Sequence, residues 1–379
     1  MTVDSTQGPS GPTERESGGP SGATYDPVAW DVAEKVAIRV ARREPLAESY
    51  HYHSLEPDFG AFTAEAEEMV AQETGLRSLA GPARVRVTDR AGWIRANLAS
   101  FRRLLRPLTE RLGQRMGSGG VATMGRSVAG AEVGALLGWM STRVLGQYDL
   151  LIVENENPDD QDIVYYVGPN ILSLEKRYAF PPGEFRLWIA LHEVTHRAQF
   201  TGIPWMRPHF LSLVDSSLSA FDPDPRRLTG ALRRAVDQVR AGQNPLDEGG
   251  VVALLASPEQ HALLQQIQAL MSLLEGHGDV VMDRAAADRI PSAPRFRQVL
   301  QHRRETGGAA RMIQKLIGLE AKMRQYKQGA EFLEAVERLG RPGAVDLLWQ
   351  GPEWLPGPLE IRDPDLWLAR VAAARAAAS

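Results

Sequence analysis

Leu191-His192-Glu193-Val194-Thr195-His196 places two imidazoles four residues apart, with a carboxylate directly after the first. On a helix this spacing sets both rings on one face, one turn apart, where their nitrogens can converge on a single divalent ion. Glu193 then lies where it can hold a water against that ion and act as general base. The chain has no cysteine. Disulfides, thiolate metal sites and cysteine nucleophiles are therefore excluded, and histidine and carboxylate are the strong ligands available. With eight histidines in 379 residues, an accidental match to this pattern is expected on the order of 0.01 times. The competing reading is a buried helix whose histidines bond to backbone or carboxylates.

A catalytic zinc takes three protein ligands and leaves a further position for water. One known continuation needs a glycine three residues after the second histidine and a histidine six after it. Here those positions hold Gln199 and Gly202, which excludes it. Leu274-Glu275-Gly276-His277-Gly278-Asp279 is the better source of a third ligand. Glu275 and Asp279 are one helical turn apart, so Glu275 can ligate while Asp279 accepts the second N–H of a ligating imidazole. Leu270, Met271, Leu274, Val281 and Met282 make the surroundings too apolar for a simple solvated face. His277 points elsewhere on the helix and is read as a supporting group or a donor to the transition state. His277 and His209 remain alternative ligands. Tyr326, close to Arg324, is a candidate stabiliser of a developing oxyanion, against a capping or packing role.

The elements that must position these residues are mainly helical. Apolar periodicity predicts helices over 25–43, 62–73, 89–113, 127–146, 184–201, 259–290 and 309–338. The one carrying the histidines is bounded by Pro181 and Pro182 with Glu184 at its start, and by Gly202 and Pro204 at its end. Strand signals are confined to 148–153 and 163–167, with a weak one at 84–87, enough for a small β-hairpin or sheet whose edge an extended peptide could use. Gly130, Gly134 and Gly138 recur every four residues, a stripe suited to close packing of one helix on another. Residues 1–24, rich in Gly, Ser, Pro and Thr, read as a disordered tail, and 25–379 as a single domain.

A net charge of −4 gives no overall pull toward nucleic acid. The Arg-rich stretch 95–115 alternates with leucines as an amphipathic helix does. The most apolar stretch, between Arg126 and Arg143, is too short to span a membrane. The opening residues have no charged-then-apolar signal segment, so a cytoplasmic location is the expectation. Oligomeric state is not legible.

The second helix pair is similar to the gluzincin arrangement, in which a glutamate on another helix completes the site and an aspartate one turn later supports it. More extensively, the chain resembles the zincin-like metallopeptidases of actinobacterial type, a family whose hydrolase label is tied by name to deazaflavin coenzyme biosynthesis. The resemblance rests on Val144-Leu-Gly-Gln-Tyr-Asp149, on His192 to Phe200, on Leu274 to Asp279 with Val281-Met-Asp283, on Gly318 to Gly329 and on Leu355 to Pro364. It implies a zincin-like architecture, Zn2+ held by His192, His196 and Glu275, and hydrolysis of a peptide or small amide. The alternatives are a zinc-stabilised scaffold without turnover and a hydrolase of a non-peptide amide. No Gly-rich phosphate loop accompanies the coenzyme label.

Overall fold

The computed structural model describes residues 26–42, 46, 49–115, 120–150, 162–220, 257–305, 319–340 and 343–378, with backbone alone at 107, 111–115, 120–122, 304–305, 319–327 and 378. The tail expected over 1–24 lies outside the described residues. Helices dominate: α1 (Trp30–Ala41), α2 (Tyr50–His53), α3 (Leu55–Thr74), α4 (Arg90–Arg115), α5 (Gly120–Ser141), α6 (Gly168–Tyr178), α7 (Pro182–Gly202), α8 (Met206–Ser219), α9 (Pro258–Ala286), α10 (Ala293–Glu305), α11 (Leu319–Leu339), α12 (Pro358–Arg362) and α13 (Pro364–Ala378). Three strands, β1 (Arg84–Thr88), β2 (Gly146–Tyr148) and β3 (Ile163–Val167), form one sheet in the order β1-β3-β2. The β1–β3 pair is parallel and the β2–β3 pair antiparallel. The weak strand signal at 84–87 is thus β1, and the expected hairpin is the β2–β3 half of a mixed sheet.

The two helices that carry the candidate ligands start where local chemistry dictates. Pro182 opens α7 with Glu184 in its first turn, a residue and a charge that suit a helix N-terminus. Ser257 caps α9: its hydroxyl accepts the Gln260 N–H at 3.2 Å, and the Gln260 side chain accepts the Ser257 N–H at 3.0 Å. Helix α7 is buried along nearly its whole length. It packs on α3, on α9 and on β2. A large core of Phe59, Tyr166, Phe185, Leu191, Leu274 and Phe296, among others, surrounds it. Helix α3 begins seven residues before the predicted start because Leu55 and Phe59, fully buried, extend the face it lays on α7.

Helix α9 also packs on α11, where Gly276 allows the two backbones to approach: an added Cβ would fall on Gly329 and Ala330. A second core, with Leu273, Phe332, Val336, Leu348 and Trp367, lies on that side. The glycine stripe does what its spacing predicts. Cβ atoms at Gly130, Gly134 and Gly138 would strike the carbonyl oxygens of Ala29, just before α1, and of Ala33 and Ala37 on it.

One boundary differs from the sequence reading. The helix expected to reach 146 ends at Ser141, and the strand expected over 148–153 runs over Gly146–Tyr148, residues 151–153 lying outside the described set. The cause is tertiary. The amide of Asn170, on α6, donates to the carbonyl oxygens of Ser141 and Val144, each at 2.7 Å, and so satisfies the end of α5 from a distant segment. Beyond it, Val167 N–H reaches Leu145 O at 2.8 Å and Asp149 N–H reaches Ile163 O at 2.9 Å, locking the strand register. Helices α2, α6, α8, α10, α12 and α13 fall outside the ranges that the periodicity predicts. Among the described residues, no helix is long and apolar enough to cross a membrane.

Candidate metal centre

His192 and His196 stand one turn apart on α7, their rings edge to face with centroids 4.7 Å apart. Glu275 of α9 faces them across the helix pair, with Oε2 at 3.8 Å from His196 Nε2. One ligand atom from each of the three residues falls within a group no wider than 4.8 Å. Two imidazoles and a carboxylate converging in this way form a donor set suited to zinc. The 79 residues separating His196 from Glu275 in the sequence are spanned because α7 and α9 pack against one another. Gly278 lies beside the His196 ring, where an added Cβ would be in ordinary contact, 3.6 Å from Cε1.

Glu193 is buried beside this cluster, 7% exposed. Its Oε2 accepts the Tyr148 N–H of β2 at 3.1 Å. Burial pushes its carboxyl from the ordinary 4.5 up to about 7; the nearby Glu275 carboxylate adds to the rise, and His196 and the Tyr148 N–H oppose it. A carboxyl with a pKa near neutrality can both take and return a proton. β2 comes this close only because residue 146 is glycine. A Cβ there would lie 2.6 Å from Glu193 Cγ and 2.7 Å from Oε1. In the β2–β3 register, the backbone groups of Gly146 and Tyr148 point away from β3. The edge imagined for an extended peptide therefore faces α7, and its Tyr148 N–H is taken by Glu193.

Asp279 is exposed one turn beyond Glu275. For His196, the acceptor at the second ring nitrogen, Nδ1, is Gln199 Oε1 at 3.0 Å. The same amide donates from Nε2 to Leu274 O at 2.8 Å and to His277 Nδ1 at 2.9 Å. His277 is 7% exposed and edge-on to Trp349. Burial, with help from His196 and Arg284, pushes its pKa down to about 4, so its ring is neutral. It supports the ligand helix from behind through Gln199. His209 lies on α8 against Trp205 and is not in the cluster of three. The Tyr326 side chain lies outside the described residues, on the backbone of α11.

Sequence reasoning passed over Gly146, Arg197 and the role of Gln199. Gln199 had a usable signal, an amide one turn after the second histidine. Arg197 had none. It is 1% exposed on the opposite face of α7 and joins Asp162, Glu67 and Gly81 O, with distances of 2.6–3.1 Å, tying α7 to α3 and to the start of β3. Burial pushes the Glu67 carboxyl up, against the opposing pull of Arg197.

Comparison with known proteins places nearly the whole chain beside relatives. A solved structure from Chloroflexus aurantiacus, described as a proposed hydrolase with a novel fold, is 30% identical, covers 91% of this chain and 99% of its own, and superposes with a TM-score of 0.65. No curated protein matches. The model of one family, the zincin-like metallopeptidases, matches residues 28–368. Together these support a hydrolase, and the extent of the family match, which includes both α7 and α9, shows that the chain belongs to the zincin-like metallopeptidases.

Proposed function

We propose that the protein is a zinc-dependent hydrolase with a gluzincin-type site, acting on the amide bond of a peptide. The observation that carries the reading is the convergence of His192, His196 and Glu275 with the buried Glu193 carboxyl alongside. When bound, zinc polarises a carbonyl and lowers the pKa of water. Glu193 takes a proton from the attacking water and hands it to the leaving nitrogen, a transfer for which its buried place beside the cluster suits it. The Tyr148 N–H holds one carboxylate oxygen of Glu193, which orients the other. Asp279, one turn beyond Glu275, is assigned as acceptor for the second N–H of a ligating histidine, and a peptide is preferred over other amides on the family's description.

The test is the metal content of protein purified without chelators, beside His192→Ala and Glu275→Ala. One zinc per chain, lost in both variants, is expected, together with cleavage in a peptide library that Glu193→Gln abolishes. Zinc retained in the Glu275 variant would move the third ligand elsewhere. Zinc binding with no cleavage of any peptide or amide would favour a scaffold, and absence of uptake on adding zinc would overturn the metal reading.

A further inference from the structure

The Gln199 amide is buried between three groups whose chemistry leaves it one orientation. Leu274 O is a backbone carbonyl and only accepts, so the atom 2.8 Å from it is the NH2. A flipped amide would set two oxygens against each other there. The carbonyl oxygen of Gln199 must then be the atom 3.0 Å from His196 Nδ1. An amide oxygen only accepts, so His196 Nδ1 carries the hydrogen. In the neutral ring its Nε2, 3.8 Å from Glu275 Oε2, is then left with a lone pair facing the ligand cluster. By the same rule the second N–H of the amide is accepted by His277 Nδ1 at 2.9 Å, which places the His277 hydrogen on Nε2.

We infer that Gln199 is a positioning residue that locks His196 in its Nδ1–H form, with the Leu274 carbonyl and His277 fixing the direction of the amide. The inference rests on His196 being a metal ligand and adds what prepares it. The ligating nitrogen is selected before any metal arrives, by hydrogen bonds whose direction traces back to a backbone carbonyl of the helix that carries Glu275. A neutral amide in this role leaves His196 without the added basicity that a carboxylate partner would give.

The test reads the tautomer directly, by nitrogen NMR of the metal-free protein with labelled histidine, together with zinc affinity. Wild-type His196 is expected as Nδ1–H. Gln199→Met keeps the length and removes all three bonds; it should release the tautomer and weaken zinc binding by about 10- to 100-fold. Gln199→Glu keeps an acceptor toward His196 and, with its other oxygen protonated toward Leu274 O, should restore the Nδ1–H form and recover affinity relative to Gln199→Met. Nε2–H in the wild type, or an unchanged tautomer in Gln199→Met, would overturn the inference. If Gln199→Met does not fold, the wild-type spectrum and Gln199→Glu still decide it. A wild-type protein that shows Nδ1–H but takes up no zinc would refute the metal reading while leaving the positioning role intact.

Discussion

Glu193→Gln should make the metal-free protein more stable at alkaline pH. In the folded chain the Glu193 carboxyl is pushed up to about 7, against 4.5 ordinarily. Between these values the unfolded chain has released this proton and the folded chain retains it, so stability falls as pH rises. The contribution is intact below about 4.5 and is lost as pH rises through 7. The gap, at about 1.4 kcal/mol per pH unit, corresponds to roughly 3 kcal/mol above neutrality. At 7% exposure, solvent does little to screen it. Glutamine fills the same volume, still accepts the Tyr148 N–H, and does not titrate. Urea denaturation of metal-free wild type and Glu193→Gln at several pH values would measure the difference. The variant's advantage should be small near pH 4.5 and reach roughly 3 kcal/mol at pH 8. Saturating zinc should narrow the gap, since a bound cation offsets the cost of the buried carboxylate. Equal stabilities at pH 8, or an advantage that does not change with pH, would refute the argument.

Gly146→Ala should lower turnover by about 100-fold, because the new Cβ displaces Glu193; zinc content should stay the same, which a metal assay beside peptide hydrolysis would show. Gly134→Ala should destabilise by about 1–3 kcal/mol by thermal or urea unfolding, because the clash with Ala33 O outweighs the better helix propensity of alanine. Arg197→Met should cost about 3–5 kcal/mol by leaving Asp162 and Glu67 without their buried partner; an Arg197→Met protein as stable as wild type would show that the ion cluster is dispensable.

The family resemblance and much of the helix layout were readable from residue order alone. His192, Glu193 and His196 are close in the chain, and a helix bounded by Pro182 and Gly202 fixes their relative directions without outside help. Glu275 was readable as a candidate because it recurs with Asp279 at helical spacing in an apolar context. The glycine stripe was readable because only a close neighbour explains a missing Cβ every fourth residue.

What tertiary structure decided were relations between distant segments. The end of α5 and the register of β2 depend on Asn170 and on pairing with β3, and helix periodicity encodes neither. Helix α6, with Gly168, Pro169 and Asn170 in its first turn, has low intrinsic propensity and forms because its residues are buried. The pairing of Gln199 with His196 has the same origin. Sequence spacing shows which groups lie near a ring, but the direction of a hydrogen bond depends on what the amide's other end meets. Here that is Leu274 O and His277, brought within reach only when α9 packs on α7.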